Sequence, residues 1–218
     1  MVGTRQTLRT VGATRVLTLN RLLGRSFRLA DGVGGALRDL YVNDRNWQTL
    51  HIVSDAFGPL ASPTRLINPL RVGVHWEAVE PQLFIPMLRS EAEQLPSSSS
   101  ARPVCQQYNM RGHDGGSPSR MAGLQKSDPH LRSCLAMRGY YVQGPGGLIG
   151  QVNDFILNPH NFFIESVVIE TETSGARHLM TAPTSMISAV SFATQTLRLQ
   201  AVLSTVTETV ASGLCRAA

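Results

Sequence analysis

Short apolar runs separated by turn residues recur along the chain. Residues 35–42 and 47–54 form one pair of runs, and residues 150–157 and 162–170 form a second pair. Runs of this length, rich in β-branched and aromatic side chains and bounded by Asn, Gly or Pro, predict β-strands joined in antiparallel hairpins. Shorter alternating runs follow each pair, so each region predicts about six strands, a pattern typical of a small β-barrel.

The two hairpin connections have the residue types of tight turns. Asn43 and Asn158 open the connections, where an Asn side chain can cap the turn by accepting a backbone hydrogen bond. Asn46 and Asn161 close them, where Asn tolerates the left-handed backbone that ends such a hairpin. Both connections therefore predict the same turn.

The two regions are copies of one another. Residues 22–55 and 137–170 align without a gap at a constant offset of 115 residues. Glycines, aspartates, turn asparagines and one aromatic position fall in register: Gly24 and Gly139, Gly32 and Gly147, Gly35 and Gly150, Asp39 and Asp154, Asn43 and Asn158, Asn46 and Asn161, Trp47 and Phe162. A period this long exceeds a solenoid unit, so each copy is predicted to be a small domain.

The repeat divides the chain into domains and connecting segments. A Ser-, Gly- and Pro-rich stretch lies between the copies, and an Arg-rich, acid-poor segment precedes the first. The predicted boundaries are a flexible arm at 1–19, a first domain at 20–95, a linker at 96–130, a second domain at 131–205 and a tail at 206–218. The arm has one weak apolar stripe that would let it pair as an added strand: Val11, Val16, Leu17 and Leu19.

Two repeated positions predict specific roles. Gly35 and Gly150 each open a strand, where a bulge or a close backbone approach would exclude a Cβ atom. Trp47, matched by Phe162, is interpreted as a core side chain because it adjoins the most apolar run.

The positive charge of the chain is concentrated in its N-terminal segment. The net charge is +5, yet six arginines precede the first acid, Asp31, and the rest of the chain holds 14 basic and 15 acidic residues. The body therefore has no bulk attraction for nucleic acid. Three widely spaced cysteines (Cys105, Cys134 and Cys215) without a secretory leader favour a reducing, cytoplasmic compartment, and no apolar stretch is long enough to span a membrane.

The sequence contains no established catalytic or metal-binding motif. The patterns of a nucleophile elbow, a P-loop, a zinc protease and an EF-hand are absent. His113, Asp114 and Ser117 share a Gly- and Pro-rich segment that cannot hold a catalytic triad in place. Residues 144–150 are rich in Gly but precede a predicted strand, which indicates a turn and not a phosphate loop. We therefore predict no catalytic, cofactor-binding or metal-binding residue.

Asp39 and Asp154 interrupt the central apolar strand at the same place in both copies. One interpretation is a functional carboxylate, as in a small-molecule hydrolase. The other is a structural acceptor for backbone N–H groups or for an arginine at a strand bend. The structural role is favoured because neither acid has a second acid or a histidine beside it for acid–base chemistry.

Together these residues resemble the PRC-barrel family, named for the cytoplasmic domain of the photosynthetic reaction-centre H subunit. The first copy carries Leu23-Gly24, Asp31-Gly32, Gly35, Asp39, the Asn-Asp-Arg-Asn turn, Trp47 and Ile52-Val53. The second carries His130-Leu131-Arg132-Ser133, Gly139-Tyr140 and the run from Gly147 to Phe155. The Trp-rich basic segment expected after each hairpin is replaced here by residues 56–63 and 173–176.

The resemblance implies a fold and a class of function. It implies an all-β chain of two tandem six-stranded barrels with little helix, packed as an intramolecular pseudo-dimer, and a barrel that serves as an interaction platform and not as a catalyst. The expected function is a soluble, cytoplasmic, non-enzymatic scaffold or adaptor for a protein partner. The alternative is an RNA- or ribosome-associated assembly factor, which the body's charge disfavours. Peripheral membrane association and homo-oligomers are compatible with the sequence.

Overall fold

The described residues are mostly β-strand, which confirms the predicted all-β class. The computed structural model describes residues 15–55, 57, 63–77, 79–107, 128–173 and 175–200. Its strands are β1 (Leu17–Thr18), β2 (Ser26–Leu29), β3 (Gly32–Asn43), β4 (Thr49–Ser54), β5 (Arg65–Ile67), β6 (Gly73–Glu77), β7 (Glu80–Phe84), β8 (Leu131–Ser133), β9 (Tyr141–Gly144), β10 (Gly147–Leu157), β11 (Ile164–Thr173), β12 (Ala176–Pro183), β13 (Ile187–Ser191) and β14 (Thr196–Leu199).

Helices are short connectors between these strands. The α-helices with both ends described have four residues each: α1 (Leu19–Leu22), α2 (Arg89–Ala92) and α3 (Cys134–Met137). Single 3₁₀ turns cover Pro69–Arg71, Ser98–Ser100 and Thr184–Met186, and residues 104–107 are helical.

The strands form two sheets with the same order. The first sheet runs β5-β4-β3-β2-β7-β6, and the second runs β12-β11-β10-β9-β14-β13. Every neighbouring pair is antiparallel apart from β2 with β7 and β9 with β14, which are parallel. We call β2–β7 the first half and β9–β14 the second half. Each has six strands, in agreement with the predicted number of about six, and the strands of the two halves follow in the same sequence order.

The segment that leads into each half contributes one short strand to the sheet of the other half. The strand β1, which precedes the first half, pairs with β10, so that Leu17 lies opposite Leu157. The strand β8, which precedes the second half, pairs with β3, so that Arg132 lies opposite Val42. These two pairs occupy the same repeat positions, so the exchange of strands is reciprocal.

One continuous hydrophobic core underlies this exchange. It joins side chains of both halves and of the helices α1 and α3: Leu19, Leu22, Phe27, Leu40, Ile52, Cys134, Met137, Phe155, Phe162 and Val167, among others. Each fully buried aliphatic or aromatic side chain contributes about 1.5–3 kcal/mol through the hydrophobic effect. The two halves therefore form one folded unit and are not independent domains joined by a linker.

The predicted boundary of the N-terminal arm is wrong at its C-terminal end. Leu17 and Leu19 are buried, and β1 is the added strand that the apolar stripe allowed. The predicted linker is also structured at both ends, where Ser97 pairs with Arg65 and the side chain of Gln107 donates to the carbonyl of Asp128. Apolar burial and backbone pairing at these segments outweigh their loop-like composition.

Some predictions lie outside the described residues. These concern residues 1–14 of the arm, residues 108–127 of the linker with His113, Asp114 and Ser117, Cys215, and the tail at 206–218.

Gly35 and Gly150 lie inside β3 and β10, and not at the start of a strand as predicted, and neighbouring atoms leave no room there for a side chain. A Cβ atom at Gly150 would be 2.2 Å from the carbonyl oxygen of Glu170. At Gly35 it would be 2.5 Å from the Oγ of Ser54, and φ there is +59°. The β2–β3 register also skips a residue at Gly35, so a bulge is confirmed at Gly35 and a close backbone approach at Gly150.

Substitution of Gly150 by alanine is expected to lower the free energy of unfolding by about 2 kcal/mol, because β10 and β11 must separate to admit the methyl group. The matched control is Gly146→Ala, where an added Cβ meets no atom within 4 Å. Urea unfolding should show a change below about 0.5 kcal/mol for the control. Equal changes in the two variants would contradict the close approach.

Candidate functional site

The repeated asparagines cap the two hairpin turns. Asn43 Oδ1 accepts a hydrogen bond of 2.9 Å from the backbone N–H of Arg45, and Asn158 Oδ1 accepts an equal one from His160. These bonds confirm the predicted role of the first Asn. The left-handed residue, however, was predicted one position too early, at Asn46 and Asn161.

The left-handed backbone falls instead on the aromatic residues, where φ is +58° at Trp47 and +60° at Phe162. The side chains of Asn46 and Asn161 each accept from the backbone N–H two residues further on. This local bond holds the Asn itself at a negative φ, so the next residue must take the left-handed conformation that closes the turn. A left-handed aromatic residue costs about 1–2 kcal/mol of backbone strain, and such strain persists only where the surroundings enforce it.

Contacts between the halves enforce this conformation. The carbonyl of Trp47 accepts a hydrogen bond of 3.0 Å from the backbone N–H of Ile164, at the start of β11. The carbonyl of Phe162 accepts from the hydroxyl of Thr49, at the start of β4. Trp47 and Phe162 are 4% and 0% exposed, which confirms the prediction that they are core side chains. Each turn therefore fastens one half to the other.

Asp39 fastens the halves at a second point. Its Oδ2 accepts a hydrogen bond of 2.5 Å from the hydroxyl of Ser133, and its Oδ1 accepts from the backbone N–H groups of Leu135 (2.9 Å) and Leu40 (2.7 Å). Ser133 is the residue before α3, and Leu135 is the second residue of α3. A carboxylate in the first half thus holds the start of the helix that leads into the second half.

Asp154 repeats the two backbone contacts of Asp39 in the second half. Its Oδ1 accepts hydrogen bonds from the backbone N–H groups of Asn20 (3.0 Å), in α1, and Phe155 (2.8 Å). Thr18 precedes α1 as Ser133 precedes α3. The β3–β4 and β10–β11 registers shift beside Asp39 and Asp154, so each acid lies at a strand bend. We call Asp39 and Asp154, with the two helix starts, the reciprocal lock.

Burial dominates the electrostatics of the reciprocal lock. It raises the pKa of Asp39 to about 6, although the hydrogen bonds from Ser133, Leu135 and Leu40 lower it. Burial likewise raises the pKa of Asp154. Cys134 is fully buried between them, and burial and then the charges of Asp39 and Asp154 raise the pKa of its thiol. Both carboxyl groups are thus buried hydrogen-bond acceptors where the two halves meet.

Lowering the pH is expected to raise the free energy of unfolding through protonation of Asp39. The unfolded carboxyl has a pKa near 4 and the folded one about 6. The folded state holds the proton more tightly, so the contribution is complete below about pH 4 and is lost as the pH rises through about 6. The difference amounts to about 2–3 kcal/mol.

The measurement is urea unfolding of the native chain and of Asp39→Asn, which cannot ionise, at about pH 4 and about pH 7. The native chain should lose more stability than Asp39→Asn on going to the higher pH. An identical pH dependence in the two proteins would contradict the ionisation of a buried Asp39.

The remaining repeated glycines shape connections away from the lock. Gly24 and Gly139 follow α1 and α3 with φ of +77° and +82°, and each donates its backbone N–H to the same repeat position of the central strand. Gly32 and Gly147 open β3 and β10 at the hairpin tips. Residues 144–150 form such a hairpin, which confirms a turn.

Comparison with protein families and with curated proteins adds nothing to this description. No family model matches the chain, and no curated protein matches it. Among the described residues, no three His, Cys, Asp or Glu side chains lie close enough to hold a metal ion. Within the same residues, no helix is long and apolar enough to cross a membrane.

Two exposed patches occupy equivalent places on the outer faces of the sheets. In the first half, Val33 and Phe84 both lie opposite Arg28, on neighbouring strands. Because cross-strand partners project from the same face, these three side chains lie together, and all are exposed. We call them the first patch. Val33 is 54% exposed although it is apolar.

The second patch repeats this composition with different residues. Leu148 and Arg198 both lie opposite Gln143, and Tyr141 is two residues from Gln143 on the same face of β9. Leu148, at the repeat position of Val33, is 66% exposed, and Tyr141 and Arg198 are exposed as well. Each half therefore presents an apolar hairpin residue, an aromatic ring and an arginine.

Sequence reasoning missed the partners of the lock and both patches. Thr18 and Ser133 share the repeat offset and immediately precede helices, and Ser or Thr before a helix is a recognised capping signal. That signal could have been found just outside the aligned window. The patches required knowledge of which strand faces point outward, which no single run reveals.

Proposed function

We propose that the chain is a tandem PRC-barrel protein that acts as a non-enzymatic scaffold or adaptor in a bacterial cytoplasm. In this proposal it binds another protein through the first and second patches. Two features of the fold support this proposal. The strand order is repeated in both halves, and the shared core joins the halves, with one patch on each, into a single unit.

The observation that carries the proposal is the matching composition of the two patches. Aromatic residues and arginine are enriched where proteins bind one another, and they dominate the energy of such interfaces. A single exposed apolar residue is common on any surface, but here Val33 and Leu148 recur at one repeat position beside a ring and a guanidinium.

The fate of the repeated acids supports a non-enzymatic role. The oxygens of Asp39 accept three hydrogen bonds from the chain itself, and Asp154 holds the start of α1. Neither acid is paired with a second acid or a histidine in the described residues. Their geometry is that of structural acceptors at a strand bend.

Affinity capture from a bacterial lysate, at low and at moderate salt, tests the proposal. The probes are the native chain and the variant Val33→Ser/Phe84→Ser, with Leu70→Ser as control, since Leu70 is 78% exposed and outside both patches. A protein recovered by the native chain and the control at both salt concentrations, and lost from the patch variant, is the expected result.

Two results would overturn the proposal. Recovery that these substitutions leave unchanged would remove the first patch as the binding surface. Recovery of RNA that disappears as the salt concentration rises would instead favour the assembly-factor alternative, since phosphate contacts are strongly salt-dependent.

A further inference from the structure

Three ionisable side chains meet where β8 joins β3. Arg132 Nη2 lies 2.6 Å from Asp44 Oδ2, and His130 Nδ1 lies 2.8 Å from Asp44 Oδ1. The backbone N–H of Asp44 also donates to the carbonyl of His130. The side chains of Asp44 and Arg132 are 8% and 11% exposed, so this pair is largely removed from water. We call the three residues the junction cluster.

The equivalent junction of β1 with β10 lacks this chemistry. The repeat offset matches three pairs: Leu17 with Arg132, Pro159 with Asp44, and Arg15 with His130. Leu17 is buried opposite Leu157, so an apolar contact occupies the place of the Asp44–Arg132 ion pair. The two junctions share a backbone arrangement and differ in their side chains.

The similarity of the halves creates alternative pairings between two chains. If β8 of one chain paired with β10 of another, Arg132 would enter the buried position of Leu17 and would meet Pro159 in place of Asp44. If two first halves paired, Asp44 would lose its guanidinium partner. Burying an unpaired charge is strongly unfavourable, so both like-with-like pairings are penalised.

The junction cluster contributes less to stability than to this choice of partner. Among the described residues, the buried Nε and Nη1 of Arg132 have no hydrogen-bond partner. A buried ion pair whose other polar atoms are unsatisfied adds little stability compared with an apolar contact such as that of Leu17. A penalty against wrong partners is the established way in which such charges give specificity.

We propose that the junction cluster makes unlike halves pair with each other, so that each half rejects the like half of a second copy of the chain.

The test cleaves the folded chain between its halves. A protease recognition sequence is inserted between residues 117 and 118, and the folded full-length protein is cleaved. The fragments are then unfolded in urea and refolded together by dilution, and native mass spectrometry identifies which fragments pair. The native sequence should give one N-terminal fragment bound to one C-terminal fragment. In Arg132→Leu/Asp44→Asn, which resembles the β1 junction, like pairs should increase roughly tenfold or more relative to unlike pairs.

Arg38→Leu/Asp55→Asn is the matched control, because it removes the same charges from an exposed ion pair within the first half. This control should give unlike pairs only. Circular dichroism before cleavage confirms that each variant is folded. Should the double substitution prevent folding, Arg132→Leu alone is the second variant, since Asp44 keeps His130 as a partner, and like pairs should again increase.

Three outcomes would overturn the proposal. Unlike pairs alone in both cluster variants would place the selectivity elsewhere. Like and unlike pairs in similar amounts from the native sequence would show no selectivity. Fragments that stay unpaired after refolding would show that the halves do not recognise each other.

Discussion

Replacing Asp39 by alanine is expected to lower the free energy of unfolding by about 3 kcal/mol or more. The substitution leaves three donors, from Ser133, Leu135 and Leu40, without their buried acceptor, and each unsatisfied donor costs about 1–3 kcal/mol. Asp39→Asn keeps an acceptor and should restore most of this loss. Urea unfolding monitored by circular dichroism measures both variants.

Asp55→Ala is the control for this prediction. Asp55 forms an exposed ion pair with Arg38, and exposed pairs contribute at most about 1 kcal/mol. If Asp39→Ala destabilised the chain no more than Asp55→Ala, the reciprocal lock would have no energetic role. If Asp39→Asn were as destabilising as alanine, loss of the acceptor would not be the cause.

Truncating Phe162 is expected to have an effect of similar size with an unusual order of variants. Phe162→Ala removes a fully buried ring and should cost about 3–5 kcal/mol. Phe162→Gly should cost no more than alanine, because glycine adopts the left-handed backbone, φ of +60° here, without strain. The usual order, in which glycine is worse than alanine, is thereby reversed.

Phe155 gives the matched comparison. It is also fully buried, in β10, and is absent from the residues with positive φ. Phe155→Gly should therefore be less stable than Phe155→Ala by about 0.5–1 kcal/mol. Thermal or urea unfolding of the four variants decides the matter, and the same order at both sites would contradict the strained turn.

Local pattern was sufficient for the strands and for the repeat. The central hairpin strands were predicted because alternation and turn residues are local signals, and Gly35 and Gly150 were predicted because a missing Cβ marks crowding. The structural role of Asp39 was favoured because no second acid or histidine lies beside it in the sequence. Each of these inferences needs only a few neighbouring residues.

The exchange of strands was beyond such reasoning. The strands β1 and β8 have two and three residues, too few for a periodic signal. Their pairing is also ambiguous in principle, because a repeat gives β1 two matching partners, β3 and β10. The choice depends on Arg132 and Asp44, which are distant in sequence and depart from the repeat.

The most direct test of the reciprocal exchange is nuclear magnetic resonance of the full chain, through proton–proton contacts between backbones. Contacts of Leu17 with Leu157 and of Arg132 with Val42 are predicted by the observed registers. Contacts of Leu17 with Val42 and of Arg132 with Leu157 would show instead that each short strand pairs within its own half, and would contradict the exchange.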